Sequence, residues 1–485
     1  MINVTKGLVP FWDDYMIDTA RTTATLSSNT PAKRGVVMDF DQPWDGNGND
    51  FFTIIKDDGI YRMYYETWTC FDPTYTEGIN VCYAESKDGI HWERPNLGIC
   101  EFRGSRDNNI IMTRIYDNIT VMKDENPNCP PEHKYKAVMA NYDDTIKKTN
   151  PNLPAGKLVC KTSADGIHFN DYSVISSGYA YDSQNTLHWN PHLKKYFCYF
   201  RNFHNSDQNQ NSLFNEKEIR DIMVTESEDF IHWSEPKLLN FGDREDYPLY
   251  TNCVSAYPYD TRYYIGFPTR YVERKSWTKN YDRLCGLEKR KARMERNPRY
   301  GLVVTDCVFM SSRDNVNWYR FDEACLTPGR EYDSNWVYGD CYPAIGGVVE
   351  TPSPFHGEPD ELSIYTFDHH MMLGEMGHLI RYAFRRDGFA SVKAPYEPAT
   401  LRTKPFSFDA DELSLNFKTS ARGGIYLTIL DENGFPIDGY ETCEIFGDSL
   451  DRTIDFDLPL SDLKGRSVIF EFKMRDAEIF AMRFK

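Results

Sequence analysis

A short motif recurs along the chain and constrains its architecture more than any other feature. The first copy, SKDGIHW, spans Ser86–Trp92. Three further copies follow: SADGIHF at Ser163–Phe169, SEDFIHW at Ser227–Trp233 and SRDNVNW at Ser312–Trp318. A weaker echo, RRDGFAS, occupies Arg385–Ser391. Recurrence at a roughly fixed spacing is typical of repeat folds, so the sequence predicts five copies of one structural unit.

The motif has the chemistry of a tight turn. Ser and Asp side chains hydrogen-bond to nearby backbone amides, and Gly89 and Gly166 tolerate the positive φ that such turns need. A strand-like run precedes each copy, as NVCYA (Asn80–Ala84) does before the first. A unit of about 75 residues, longer than a WD40 or kelch repeat, matches a four-stranded propeller blade with long loops. The sequence predicts an all-β protein whose residues 41–395 form a five-bladed β-propeller.

The segments on either side of the repeats differ in pattern. Residues 1–40 are predicted to be an irregular lead-in. A proline-rich linker at 395–398 precedes residues 401–485, where apolar side chains alternate at period two, as at Leu413, Leu415 and Phe417. This pattern predicts a small C-terminal β-sandwich that supports the propeller, with carbohydrate binding as the alternative role.

Composition limits the classes of partner. Asp and Glu number 73 against 55 Lys and Arg, a net charge of −18, which argues against nucleic acid and against an anionic membrane surface. It is compatible with a neutral sugar. The twelve cysteines form no C-x-x-C pair, so we expect free thiols rather than a zinc site or a disulfide framework. A signal-peptide pattern and long apolar runs are both missing, so a cytoplasmic protein without a cofactor is predicted.

A polar pair precedes the predicted first strand of every blade. The five pairs are Asn49-Asp50, Asp117-Asn118, Gln184-Asn185, Thr251-Asn252 and Gly339-Asp340. In a propeller the first strand of each blade is the innermost, so these pairs predict a ring of Asp and Asn at one mouth of the central axis. The alternative is that they cap strand entries, as Asp and Asn commonly do.

The residues of this ring and its surroundings are the candidate site. The catalytic candidates are the acids Asp50, Asp182, Glu245 and Asp340, because clustered carboxylates repel and raise each other's pKa. The substrate-binding candidates are Asp45, Trp68, Asn118, Asn185, Arg201, Asn252, Arg270 and His370. The alternatives are structural ion pairs for the arginines and core packing for Trp68.

The histidines do not predict a metal site. His91, His168 and His232 share one position of the motif and are therefore interpreted as structural. His369, His370 and His378 lack metal-site spacing such as H-E-x-x-H. No metal ligand is predicted, although one of these three at the end of a blade-five strand is a candidate for contacting substrate or an ion on the axis.

With these acids, the propeller resembles the furanosidases of glycoside hydrolase families 32 and 43. The likeness covers about 45–395, and residues 401–485 look like the β-sandwich that follows the propeller in family 32. NDFFTIIKDDGIYRMYY, beginning at Asn49, is similar to the opening blade of family 43, which implies that Asp50 is the general base. YDSQNTLHW occupies the place of the blade-three acid, which implies Asp182. The invertase signatures W-M-N-D-P-N-G, R-D-P and E-C-P are missing, so fructan hydrolysis is not implied.

This resemblance implies a glycosidase acting on a neutral oligosaccharide or glycoside, with a furanoside as the narrower expectation. One carboxylic acid would protonate the leaving oxygen while a second carboxylate activates water or attacks the anomeric carbon. We expect Asp50, Asp182 and a third acid in one depression. Two alternatives remain: an inverting glycoside phosphorylase, which needs a cationic phosphate pocket, and a non-catalytic sugar-binding or scaffolding propeller.

One helical insertion interrupts the strand pattern. Residues 279–299 carry many charges, which predict a solvated face. The rim of the active site and a contact within a homo-oligomer are the alternatives for this segment.

Overall fold

The computed structural model describes residues 2–70, 72, 74–115, 117–142, 156–205, 218–344, 346–372 and 374–485. The chain divides into two compact units. One contains Ala32–Ala383, and the other combines the residues up to Pro31 with Phe384–Lys485. The larger unit consists of five separate sheets of four or five strands. The predicted five-bladed propeller is therefore confirmed.

Each blade is a meander along most of its length. The strands of blade one are Asp50–Asp57, Ile60–Thr67, Ile79–Ser86 and Trp92–Glu93, with Ile110–Ile115 added beside the third. Those of blade two are Asp117–Lys123, Tyr135–Tyr142, Gly156–Ser163 and Asn170–Ser177, and those of blade three are Thr186–Asn190, Lys195–Asn205, Glu218–Ser227 and Lys237–Leu238. Blade four contains Ser255–Ala256, Tyr264–Gly266, Thr269–Glu273, Val303–Ser312 and Trp318–Leu326. Blade five contains Val349–Thr351, Glu361–Phe367, His378–Phe384 and Ala32–Asp39.

The first strands of the blades surround the axis. The first strand of blade two contacts those of blades one and three, blade three contacts blade four, and blade five contacts blade one. The polar pairs stand at or just before the beginning of the first strand in the first four blades, and their arrangement as a ring at one mouth of the axis stays a prediction. In blade five the assigned strand begins only at Val349, well beyond Asp340.

The ring of blades is closed by a strand that precedes blade one in the sequence. Ala32–Asp39 pairs antiparallel with His378–Phe384 and completes blade five. The prediction of an irregular lead-in over residues 1–40 is therefore wrong for Ala32–Asp39, which form a strand of the propeller. Closure of this kind is favourable because an unpaired outer strand would leave its N–H and C=O groups exposed at the sheet edge.

The recurring motif forms the same turn in all four blades where it is complete. The Ser Oγ accepts the N–H three residues later at 2.9–3.0 Å, from Gly89, Gly166, Phe230 and Asn315 respectively. The motif Asp accepts the N–H groups two and three residues later, and in three copies its second oxygen meets the His Nδ1 at 2.7–2.8 Å. The structural interpretation of His91, His168 and His232 is confirmed. At Asp229 these hydrogen bonds hold the pKa below its ordinary value.

The turn serine is expected to contribute to stability. Ser163 is buried, and its Oγ accepts from the amides of Asp165 and Gly166. Ser163→Ala should lower the free energy of unfolding by about 1–2 kcal/mol, because it leaves these amides without their partner. The midpoint of urea denaturation measures the loss. Ser173→Ala in the same blade is the matched control, since the Ser173 hydroxyl has no hydrogen-bond partner among the described residues. An equal effect of both substitutions would contradict the assignment.

The second unit is one connected ten-stranded sheet. Its strands are Ile2–Val4, Gly7–Pro10, Thr25–Ser28, Ala390–Ala394, Ala399–Arg402, Phe406–Phe408, Leu413–Asp431, Pro436–Glu441, Asp448–Thr453 and Val468–Phe484. The predicted alternation holds, because Leu413, Leu415 and Phe417 are all fully buried. Three strands come from the N-terminus, so this unit is larger than the predicted 401–485. The arrangement of its strands as a two-layered sandwich stays a prediction.

Helices are few among the described residues. Leu287–Arg296 and Arg299–Leu302 are α-helices in the blade-four insertion. Short 3₁₀ turns occupy Pro131–His133, Tyr281–Arg283 and Leu460–Leu463. None of the described helices is long and apolar enough to span a bilayer. All twelve cysteines lie within the described residues and are free, most of them buried, as predicted.

Candidate functional site

Asp50 occupies the centre of the candidate site. It is the first residue of the innermost strand of blade one, and its side chain is buried. A bulge follows directly, with Phe51 at a φ of 46°. Asp50 pairs across the sheet with Glu66, and directly opposite residues project from the same face. The site therefore contains two neighbouring carboxyl groups on adjacent strands.

Glu66 was not predicted from the sequence. It is the last but one residue of the strand IYRMYYET, is fully buried, and accepts the N–H of Ile119 from blade two through Oε1. The available signal was a lone acid within a strand of large apolar residues, because Glu is almost never fully buried without a specific partner.

His370 lies against Asp50. Its Nε2 is 3.9 Å from Asp50 Oδ2, and its ring packs 5.4–6.1 Å from the rings of Phe367, Tyr338 and Tyr342. Burial, reinforced by the charge of Arg293, lowers the pKa of His370 to about 3, so the imidazole is neutral. Neither ring nitrogen has a hydrogen-bond partner among the described residues. The imidazole is thus available to donate or accept at a ligand hydroxyl.

Two amides at the neighbouring blade entries have unused hydrogen-bonding capacity. Asn118 is fully buried at a φ of 62°, and within the described part of the chain neither its oxygen nor its nitrogen is hydrogen-bonded. Asn185 donates to the carbonyls of Tyr181 and Ser183, while its Oδ1 has no partner in the same residues. Buried polar atoms are normally satisfied, so both side chains are suited to meeting a water or ligand.

Asp182 lies near an aromatic cluster formed by Tyr250, Tyr338, Tyr342 and His370. Its side chain is 57% exposed, and its Oδ2 is 3.6 Å from Arg201 Nη2. Tyr338 donates to Tyr250 at 2.9 Å, and burial together with the charge of Asp182 raises the pKa of Tyr250. Asp50 is thus linked to this cluster through His370, and Asp182 is linked to it through Tyr250, while their meeting in one depression stays a prediction.

Three arginines lie against aromatic rings in and beside this cluster, and one of them, Arg201, pairs with Asp182. The Arg201 guanidinium lies 5.0 Å from the Phe203 ring, Arg220 lies 4.2 Å from Tyr271, and Arg299 lies 5.0 Å from Tyr300. Among the described residues, Arg220 and Arg299 have no carboxylate partner within 4.0 Å. This arginine cluster, Arg201, Arg220 and Arg299, is positive without full compensation. Sequence reasoning identified only Arg201.

Asp340 differs from its predicted setting. Rather than opening a strand, it closes its own loop, where Oδ2 accepts the Val337 N–H at 2.9 Å. Burial raises its pKa to about 7. The adjacent Gly339 packs on the His370 ring, because a Cβ there would lie 2.4 Å from His370 Cδ2. Asp340 thus belongs to the wall behind His370.

Arginines of the blade-four helix hold this wall in place. Arg293 donates to the carbonyls of His370 and Tyr338 at 3.1 and 2.9 Å, and Arg290 donates to Trp336 at 2.7 Å. Both side chains are buried. The predicted solvated face is therefore wrong for these two residues. Their charged groups point into the protein because buried loop carbonyls need hydrogen-bond donors.

Other predicted residues have structural contacts. Asp45 is fully buried, 3.3 Å from Arg94, and burial raises its pKa to about 6. Arg270 forms a two-pronged ion pair with Asp306. These contacts account for Asp45 and Arg270 without a substrate.

The remaining three predicted residues also have structural explanations. Asn252 accepts from Thr186 and donates to the Gln184 carbonyl, joining blades three and four. Trp68 covers Gly48, where a Cβ would lie 2.4 Å from the indole nitrogen. The side chain of Glu245 is exposed, and its backbone carbonyl accepts from Arg320. Glu245 is thus not drawn into the buried cluster around Asp50.

Comparison with known proteins gives structural similarity only. No protein-family model and no curated protein sequence matches the chain. Among solved structures, an N-acetylgalactosamine deacetylase from F. plautii aligns over 96% of this chain and 95% of its own, with 14% identity and a TM-score of 0.40. An α-L-arabinanase from Penicillium chrysogenum aligns over 79% and 94%, with 11% identity and a TM-score of 0.37. A structure described with the GH130 mannoside phosphorylases and glycoside hydrolases aligns over 77% and 96%, with 14% identity and a TM-score of 0.40. These scores lie below 0.5, so the proposals below depend on the residues of the site.

Proposed function

We propose that the protein is a glycoside hydrolase of the family 32 and 43 type, acting on a neutral oligosaccharide or glycoside, with a furanoside as the narrower candidate. One observation carries the proposal. The buried Asp50 pairs with Glu66, faces the neutral His370, and shares an aromatic cluster with the accessible Asp182. Carboxyl groups in such unequal environments are what acid–base cleavage of a glycosidic bond requires.

Each residue has a role in this proposal. Asp50 is the base that takes a proton from the attacking water, and the adjacent Glu66 carboxyl adjusts the basicity of Asp50 through like-charge repulsion. Asp182, open to solvent, is the acid that protonates the leaving oxygen. His370 and Asn118 orient sugar hydroxyls through their unused hydrogen-bonding atoms. Water supplies OH to the anomeric carbon while the leaving oxygen gains the proton.

A glycoside phosphorylase is the second candidate, and the arginine cluster favours it. Arg201, Arg220 and Arg299 could hold a phosphate dianion beside Asp182, since guanidinium groups match phosphate geometry. Phosphate would then replace water as the attacking group, and the product would be a sugar 1-phosphate. A single acid suffices for that reaction.

Phosphate dependence separates the two reactions. The purified protein is incubated with a panel of neutral α- and β-linked oligosaccharides and aryl furanosides, with and without inorganic phosphate. For a hydrolase we expect sugar release that does not depend on phosphate. Release only with phosphate, accompanied by sugar 1-phosphate and lost in Arg220→Gln, would replace the hydrolase by the phosphorylase. Glycan binding without turnover, unchanged in Asp50→Asn, would establish a non-catalytic sugar-binding propeller.

A further inference from the structure

We propose that Asp368, His369 and His378 bind a divalent transition-metal ion of the zinc class. Asp368 follows the second strand of blade five, and His378 begins the third strand. The connecting loop brings both ends together, and one ligand atom from each of the three residues lies within 4.8 Å of the others. Two imidazole nitrogens and one carboxylate oxygen are a donor set typical of zinc and related ions.

The distances are close to those of a metal site. Asp368 Oδ1 lies 2.8 Å from His369 Nδ1 and also 2.8 Å from His378 Nδ1. Ligand atoms bound tetrahedrally to zinc stand about 3.3 Å apart, given metal–ligand bonds of about 2.0–2.2 Å. Small side-chain shifts would therefore admit an ion, and its fourth position would be left to water.

Hydrogen bonding alone does not account for the arrangement. His378 Nδ1 and the His378 backbone N–H both hydrogen-bond to Asp368 Oδ1. His369 Nδ1 lies 2.8 Å from the same oxygen and has no other hydrogen-bond partner among the described residues, so one carboxylate oxygen faces two imidazole nitrogens. The side chains of Asp368, His369 and His378 are 14–24% exposed, so an ion can reach them.

Acidic groups also surround the two histidines. The second nitrogen of His378, Nε2, lies 3.8 Å from Asp39 Oδ1 on the neighbouring strand. Glu375 lies close to His369 and is itself paired with Lys289. Metal-binding histidines commonly present their other nitrogen to a carboxylate, which fixes the tautomer and strengthens the ligand.

The loop that carries the donors is constrained. His369 and Met371 both adopt positive φ, at 57° and 56°. Arg293 binds the His370 carbonyl, and the Met371 N–H donates to Asn47 at 2.8 Å. The side chains of these two consecutive histidines therefore contact different carboxylates: His370 lies against Asp50, and His369 lies against Asp368. The proposed metal site is thus separate from the carboxyl pair, although it shares their supporting loop.

Protons and metal should compete for this site. Since only the deprotonated imidazole can bind the ion, metal binding should release protons and weaken as the pH falls.

Calorimetric titration of the untagged protein with Zn²⁺ tests the proposal. We expect one ion per chain, and a heat that changes between buffers of different ionisation enthalpy. Co²⁺ should give visible absorption bands of a low-coordinate nitrogen and oxygen site. His378→Gln and His369→Gln should each weaken Zn²⁺ binding at least tenfold. His91→Gln is the matched control, because His91 also pairs with an aspartate but belongs to no group of three ligands among the residues that the structure describes.

Thermal unfolding distinguishes the loss of zinc binding from misfolding of a variant. Each variant is melted with and without Zn²⁺, so that a variant that misfolds is recognised by its melt without metal. Asp368→Asn then provides a third variant that keeps the side-chain volume. A zinc-induced rise in Tm in the wild type and in His91→Gln, lost in the three ligand variants, supports the site. Equal zinc binding by wild type and both histidine variants, or no binding by the wild type, would overturn it.

Discussion

Replacing Asp50 by Asn should lower turnover of a cleaved glycoside by about 10²- to 10⁴-fold, the usual contribution of a positioned acid or base. The amide keeps the shape of the side chain but cannot accept the proton. Because Asp50 is buried beside Glu66 and His370, little else in the site should change. Initial rates over a range of substrate concentrations would show the loss in kcat, and circular dichroism would show an intact fold.

The matched control for this experiment is Asp360→Asn. Asp360 also precedes a strand, Glu361–Phe367, but its side chain is exposed. It should retain wild-type turnover. If Asp50→Asn also retained it on a glycoside that the protein demonstrably cleaves, the assignment of the base to blade one would be wrong. Loss of activity in Asp182→Asn alone would then assign the chemistry to Asp182 and its neighbours.

Replacing Arg293 by Met should lower the free energy of unfolding by about 3 kcal/mol. Methionine keeps the apolar stem but leaves the carbonyls of His370 and Tyr338 without their donor, and each such buried group costs about 1–3 kcal/mol. Relief from burying the guanidinium, whose pKa burial lowers to about 10, offsets part of this cost. Urea denaturation measures the change.

Activity should fall together with stability in Arg293→Met, because the two carbonyls belong to the loops that place His370 and the tyrosines. Lys291→Met on the same helix is the control, since its ammonium is exposed and lies 3.4 Å from the exposed Glu288. It should change the free energy of unfolding by less than about 0.5 kcal/mol. An Arg293→Met variant as stable and active as Lys291→Met would show that the helix does not support the site.

The two arginines also show where a charge pattern misleads. Residues 279–299 have the composition of a solvated helix, and most of the charged side chains from Glu288 to Arg296 are indeed exposed or half-buried. Arg290 and Arg293 are buried because they donate hydrogen bonds to backbone carbonyls of the loops at 336–340 and 370. These carbonyls are not paired with a neighbouring strand and therefore need a side-chain donor. Sequence periodicity cannot reveal such a requirement, since the carbonyls belong to another blade.

The sequence by itself determined the local and repeated features of this protein. The turn motif, the strands before it and the number of blades all follow from interactions within a few residues, and such interactions are encoded locally. The position of Asp50 at the first strand of blade one was predictable for the same reason. So was the alternation that buries Leu413, Leu415 and Phe417.

Only the tertiary structure decided which distant residues meet. Closure of the ring by Ala32–Asp39, the contact of His370 with Asp50, and the convergence of Asp368 and His378 join segments far apart in the chain. Their spacing follows no motif, because a closed ring sets these distances through strand pairing and loop packing. The solvent exposure of the acids was also decided by the tertiary structure. Asp50 and Glu66 are buried, whereas Glu245, which was also a catalytic candidate from the sequence, is exposed. Burial depends on everything that packs around a side chain, and it therefore emerges only when the whole fold is assembled.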